Sequence, residues 1–96
     1  MPKADVIKPG ELRRLVEAGV NLNPQVIADG PKWYIQVQVG MQHQALGARR
    51  GGVRFFKTLD GVASYLRRLG IGAWTTNAAS WAPEQKALDP AQEALL

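Results

Sequence analysis

The sequence predicts an α+β fold, in which an antiparallel sheet of three to five strands carries two helices on one face in the order α-β-β-β-α-β. Two stretches support this fold class. Residues 33–39 alternate apolar and polar side chains with the period of two that is typical of a half-buried strand. Residues 59–69 place their apolar side chains on one side at helical spacing, so burial of that side on the sheet makes a core.

The first helix is predicted around residues 11–19, after the Pro-Gly pair at residues 9 and 10. A helix this short, with a narrow apolar stripe, takes its stability from tertiary packing. Residues 1–8 are expected to fray or to pair weakly. A first strand is predicted at residues 25–28, and the turn-forming residues 29–32 lead from it into the main strand.

Gly40 interrupts the alternation of the main strand. A tight turn there would pair residues 33–39 with a second extended segment at residues 41–46. A flexible basic loop carrying Arg49 and Arg50 is expected next, bracketed by three glycines: Gly47, Gly51 and Gly52. Residues 53–56 are then predicted to form a short strand.

The second helix has clear signals at both ends. Thr58 is a good N-cap, and Gly70 is suited to the position that follows the last turn. Residues 71–76 are predicted to be a closing strand. Residues 1–81 are therefore expected to form a single domain, and residues 82–96, with two prolines and several alanines, a flexible C-terminal tail.

The alternation also separates side chains that enter the core from those that face away. The predicted core is Leu12, Leu15, Val16, Val26, Trp33, Ile35, Val37, Val39, Phe55, Val62, Leu66, Leu69 and Ile71. Tyr34, Gln36 and Gln38 occupy the other side of the main strand and, with Trp81, are candidate contacts on an outer face. Two interpretations of these side chains remain open, namely reading bases of a nucleic acid and pairing with another sheet.

The amino-acid composition restricts which classes of function the protein can have. A chain of 96 residues suits one small domain. It contains no Cys, and it has no apolar run near the roughly 18 residues that a membrane helix needs. We therefore expect a cytoplasmic protein without membrane contact. A single His, His43, and two serines, Ser64 and Ser80, give little basis for catalysis or metal binding. We therefore expect no enzyme activity, no metal and no cofactor.

Positive charge is concentrated in the middle of the chain. The formal net charge is +4, and residues 31–72 hold seven of the twelve Lys and Arg against one acid. A concentrated positive field indicates an anionic partner, either nucleic acid or an acidic protein surface, although the same charges could simply keep a loop and a helix end solvated. The candidate contacts are Lys32, Arg49, Arg50, Arg54, Lys57, Arg67 and Arg68.

Four stretches of the chain resemble the ParC family of partition-associated proteins. They are the helix ending in Ala18-Gly19, the W-x-I-x-V strand from Trp33, the RGGVRFF run of residues 50–56 and the YLRRLGI segment of residues 65–71. Members of that family are small proteins encoded beside a ParA-type ATPase on plasmids and integrative elements. The resemblance implies an accessory role in partition through contact with the ATPase.

A second resemblance is topological. Three strands followed by a helix are similar to the arm-type DNA-binding domains of tyrosine recombinases, which insert a sheet into a DNA groove. Three hypotheses follow: a partition accessory that binds a ParA-type ATPase, a DNA-binding module that uses the loop from Arg49 to Arg54 with the sheet face, and an oligomerisation unit such as a homodimer.

Overall fold

The computed structural model describes residues 5–82, which form two helices and one five-stranded sheet. The elements, in chain order, are β1 (Val6–Ile7), α1 (Pro9–Glu17), β2 (Gln25–Asp29), β3 (Lys32–Val39), β4 (Gln42–Leu46), α2 (Leu59–Leu69) and β5 (Thr75–Asn77). The strands lie in the spatial order β1-β4-β3-β2-β5. The predicted α+β class is confirmed.

The sheet is mixed, so the prediction of a purely antiparallel sheet was wrong at both edges. β2, β3 and β4 form the expected antiparallel meander, but β1 pairs in parallel with β4, and β5 pairs in parallel with β2. The physical reason is that helices connect β1 to β2 and β4 to β5, and a helical crossover returns the chain in the same direction. Both crossovers run the same way across the sheet, so the right-handed rule places both helices on one face.

β1 gives the N-terminal segment a larger role than its sequence indicated. The amide of Ala45 donates to the Asp5 carbonyl oxygen at 2.8 Å, and the amide of Gly47 donates to the Ile7 carbonyl oxygen at 2.9 Å. Ile7 is 1% exposed. The element order is therefore β-α-β-β-β-α-β. The sequence did not predict β1, because a strand of two residues is too short to show the alternation by which longer strands are recognised.

The central hairpin is confirmed, whereas the short strand predicted at residues 53–56 is not formed. Val39 pairs with Gln42 across a two-residue turn that begins at Gly40, whose φ is 63°. Residues 53–56 make only two isolated bridges, one of which joins Phe56 to Trp33. That bridge turns Phe56 toward the core and leaves Phe55 40% exposed, so the assignment of Phe55 to the core was wrong.

The helix ends follow their sequence signals. The Thr58 hydroxyl accepts a hydrogen bond from the Gly61 amide at 3.0 Å, and Gly70 ends α2 with a φ of 97°. Pro9 occupies the first turn of α1, and Gly19 follows that helix with a φ of 78°. Because both positions have positive φ, a residue without Cβ is favoured there.

The core lies between the two helices and the inner face of the sheet. Seven predicted members are buried: Leu12, Val26, Trp33, Ile35, Val37, Val62 and Leu66. Five are only partly buried: Leu15, Val16, Val39, Leu69 and Ile71. Six buried residues were not predicted: Ile7, Leu22, Ala28, Ala45, Leu46 and Phe56.

The C-terminal part of the described chain contains little regular secondary structure. The predicted closing strand at residues 71–76 is shifted, because β5 spans Thr75–Asn77. The predicted tail at residues 82–96 lies outside the described residues, apart from Ala82. Neither α1 nor α2 combines the length and hydrophobicity that crossing a bilayer requires.

Candidate functional site

One candidate surface is the sheet face opposite the helices, which we name the open face. Trp33 and Ile35 of β3 enter the core, so the alternate residues Tyr34, Gln36 and Gln38 point to the open face. These three side chains are half-buried. Cross-strand pairing places Gln36 between Ala45 and Gln25. Because side chains on paired strands contact one another, amides and apolar side chains lie next to each other on the open face.

An aromatic pair lies on the open face. The rings of Tyr34 and Phe55 meet edge to face, with centroids 6.0 Å apart and planes at 81°. The Lys32 ammonium lies 4.1 Å from the centre of the Phe55 ring, within the range of a cation–π interaction. Asp5 and Asp29 line the adjoining depression of about 380 Å³. This surface therefore offers aromatic area together with charges of both signs.

Trp81 occupies a different place from the other candidate contacts of the outer face. Its ring stacks on Trp33 with a centroid distance of 6.0 Å and an interplanar angle of 24°. Since Trp33 belongs to the inner face, Trp81 lies on the helix-covered side of the sheet. Two backbone hydrogen bonds hold this segment against Gly30, which donates to the Ser80 carbonyl oxygen and accepts from the Ala82 amide. Trp81 is still 50% exposed.

The basic loop is a tight turn. The Ala48 amide donates to the Gly52 carbonyl oxygen at 2.8 Å, and the Gly51 amide donates to the Ala48 carbonyl oxygen at 3.0 Å. Gly51 and Gly52 both have positive φ, which explains why glycine is needed at each. Arg49 and Arg50 are therefore exposed at the tip of a turn that is closed by backbone hydrogen bonds.

Arg54 follows this turn and is held by two aromatic rings. Its guanidinium carbon lies 4.6 Å from the centre of the Phe56 ring and 4.9 Å from that of the Tyr65 ring. The side chain therefore crosses from the loop to α2. A guanidinium stacked on aromatic faces keeps the N–H groups at its edge available as donors.

Two depressions adjoin the basic turn, one of about 500 Å³ that is lined by Arg54 and one of about 460 Å³ that is not. They share the lining residues Pro9, Gly47, Ala48 and Arg49, so we treat them as one continuous feature. We name it the cationic trough, after the four cationic residues that line it: Lys8, Arg13, Arg49 and Arg54. None of the described residues that line it is Asp or Glu.

The seven cations proposed from the sequence lie on several different elements. Arg49 and Arg54 line the cationic trough, while Lys32 lies over Phe55 of the aromatic pair. Arg67 and Arg68 occupy the last turn of α2, where Arg68 donates to the Ser64 carbonyl oxygen at 3.4 Å. The exposed side chains of Arg50 and Lys57 lie at the tip of the turn and just before α2, respectively.

Sequence reasoning missed Lys8 and Arg13 as members of the cationic trough. Residues 1–30 carry balanced charge, so charge counting gave no reason to select them. A usable signal was the four-residue spacing of Pro9 and Arg13, which places both on one side of α1. The side that meets the basic turn is set by the parallel pairing of β1 with β4, which the sequence did not reveal.

The fold and these two surfaces define a small two-layer α+β module that presents an open sheet face and a separate cationic trough. Compared with known families, the sequence matches the ParC-like family over residues 7–85, a span that includes every described element except the first residue of β1. The chain belongs to the ParC-like family. Comparisons with curated proteins and with solved structures gave no match.

Proposed function

We propose that this protein is a non-enzymatic accessory factor in the partition of a plasmid or mobile element, and that it acts in the cytoplasm by binding a ParA-type ATPase. Membership of the ParC-like family over residues 7–85 is the observation that carries the proposal. An accessory role requires a surface for a partner rather than a reaction centre. The open face meets that requirement.

The open face has features that suit a protein contact. Tyr34 and Phe55 expose aromatic area, and aromatic residues are enriched where protein interfaces are most buried. Gln36 adds an amide group that can both donate and accept hydrogen bonds. The Gln38 amide already donates to the Gly40 carbonyl oxygen and accepts from the Asn23 side chain, which leaves it only its remaining hydrogen-bonding capacity for a partner. The ATPase is proposed to cover the aromatic pair and to form hydrogen bonds with the neighbouring glutamines.

Purified protein added to a cognate ParA-type ATPase tests this function. We expect the steady-state rate of ATP hydrolysis to change, and isothermal titration calorimetry to detect a complex. Phe55→Ala should weaken that complex by roughly fivefold or more, the range for a residue central to an interface. Met41→Ala is the matched control, because Met41 is apolar and 95% exposed at the tip of the β3–β4 hairpin.

Two outcomes would count against different parts of this proposal. Absence of both a complex and a rate change at saturating protein would refute binding to the ATPase. A complex that Phe55→Ala and Met41→Ala leave equally strong would retain the partner but remove the open face as its contact.

DNA binding is a second candidate function, supported by the concentration of arginines on and after the basic turn. Arg49 and Arg50 are exposed at its tip, and Arg54 is fixed beside it. We expect a fluorescently labelled duplex to bind the protein at low salt, with an affinity that falls steeply as salt rises. The Arg49→Ala, Arg50→Ala double variant should weaken binding for every duplex sequence, whereas unchanged affinity would rule out the turn as a contact.

A further inference from the structure

Arg54 is prepared for binding an anion. Contact with the rings of Phe56 and Tyr65 restricts its guanidinium, so less side-chain freedom is lost when a ligand accepts its hydrogen bonds. The planar guanidinium matches the oxygen atoms of a phosphate group and can donate two parallel hydrogen bonds. Arg54 remains exposed although it contacts both rings, so its outer edge is accessible.

The other cations come from separate elements. Lys8 immediately precedes α1, Arg13 lies within α1, and Arg49 lies on the basic turn. Mutual repulsion opposes bringing like charges together, and an anion that binds among them relieves it. The fold thus brings residues that follow β1 and a residue that follows β4 to one surface.

The lining of the cationic trough distinguishes between two kinds of anionic partner. The buried centres of protein–protein interfaces are depleted in charged residues and rich in large apolar side chains. In the cationic trough, four of the lining side chains are cationic, and the exposed residues Gly51 and Gly52 add a stretch of wall without side chains. A surface with several cations from separate elements, and with accessible backbone at Gly51 and Gly52, is suited to a polymer of phosphates.

We infer, resting on the DNA binding proposed above, that the cationic trough holds the phosphate backbone of double-stranded DNA. Arg13 and Arg54 contact phosphate oxygens in the larger depression, and Lys8 contacts them in the smaller one. Arg49 lines both depressions and contacts the phosphate oxygens where they adjoin. Contacts of this kind position the protein on the duplex without reading its sequence. The Arg67–Arg68 end of α2 and the open face lie outside this contact.

Arg13→Ala is the decisive variant, because Arg13 belongs to the cationic trough but not to the basic turn. Arg13 is exposed on α1, so its removal leaves the core intact. Arg14→Ala is the matched control, since it removes the same charge from the next position, is also exposed and does not line the trough. Arg54→Lys retains the charge but loses the planar guanidinium.

Fluorescence anisotropy of a labelled duplex, titrated with the full chain at several salt concentrations, measures the effect. We expect Arg13→Ala to weaken binding by about tenfold, as for loss of a hydrogen bond to a charged group, and to lower the salt dependence by about one unit. Arg54→Lys should weaken binding with little change in salt dependence, because the charge remains. Arg14→Ala should behave almost as the wild type does.

The outcomes separate the site from the function. If the wild type fails to bind the duplex even at low salt, DNA binding itself is refuted. If the wild type binds but Arg13→Ala and Arg14→Ala have equal affinities, DNA binding stands and the cationic trough is not its site. If poly-L-glutamate displaces the duplex from the wild type as efficiently as unlabelled DNA does, the trough accepts carboxylate polymers, and the assignment to DNA phosphates is overturned.

Discussion

Gly47 links β1 to the basic turn, and its replacement by alanine tests how tightly that edge is built. A Cβ at this position would overlap the Cγ1 atom of Val6. It would also lie 3.3 Å from the Ile7 carbonyl oxygen and 3.5 Å from the Gly52 carbonyl oxygen. The distance to the Gly52 oxygen is an ordinary van der Waals contact. Rotation of the Val6 side chain relieves the overlap with Cγ1 but leaves the tight contact with the Ile7 backbone oxygen.

The loss of stability in Gly47→Ala depends on which neighbouring atoms must move to make room for the Cβ. Val6 is 38% exposed and can rotate toward solvent, but the Ile7 carbonyl oxygen is fixed by its 2.9 Å hydrogen bond from the Gly47 amide. Overpacking that shifts backbone in this way lowers the free energy of unfolding by about 1–3 kcal/mol. If β1 detached altogether, Ile7 would lose its burial, which raises the loss to about 2–5 kcal/mol, the range for truncating such a side chain.

Urea denaturation monitored by circular dichroism gives the free energy of unfolding. Gly10→Ala is the matched control, because Gly10 lies within α1 and a Cβ there meets nothing within 4 Å. That control should be at least as stable as the wild type, since alanine is the better helix former. The reasoning would be refuted if Gly47→Ala proved as stable as the wild type.

Three further substitutions test the core, a helix cap and the aromatic stack. Leu66→Ala should lower the free energy of unfolding by about 2–5 kcal/mol in urea denaturation, because Leu66 is 0% exposed; a loss below about 1 kcal/mol would contradict its place in the core. Thr58→Ala should lower the free energy of unfolding by about 1 kcal/mol, because it removes the hydroxyl that accepts from the Gly61 amide. Thr58→Ser retains that acceptor and should lose less. Equal losses in the two variants would argue against the cap. Trp81→Ala should lower the free energy of unfolding by about 0.5–1.5 kcal/mol, because it removes the stack with Trp33. It should also reduce the near-ultraviolet circular dichroism of the Trp33–Trp81 pair, and an unchanged spectrum would contradict the stacking.

The central part of the fold could be predicted because its signals are local. Alternation identified β3, and Thr58 and Gly70 identified the ends of α2. The edges could not be predicted in the same way. The two residues of β1 have no periodicity of their own, and their pairing with Ala45 and Leu46 depends on where α1 returns the chain.

Neighbouring aromatic residues show the limit of pattern reading at a site. Phe55 and Phe56 are equally apolar, so the sequence does not tell which one enters the core. The bridge between Phe56 and Trp33 decides it, and this places Phe55 beside Tyr34 on the open face. Arg54 was selected from its charge, but its fixation between two rings required the positions of Phe56 and Tyr65.

The parallel pairing of β1 with β4 has a consequence for how occupancy of the cationic trough could be observed. Because this pairing joins distant parts of the chain, the edge is expected to form late in folding and to open readily afterwards. Lys8 lies directly after β1, and Arg49 lies three residues after the end of β4, so an anion held by both restrains the opening. A ligand at a hundred times its dissociation constant stabilises the closed form by about 2.7 kcal/mol. Hydrogen exchange at the amides of Ala45 and Gly47, which donate to the β1 segment, would then slow by about a hundredfold and report binding from within the sheet.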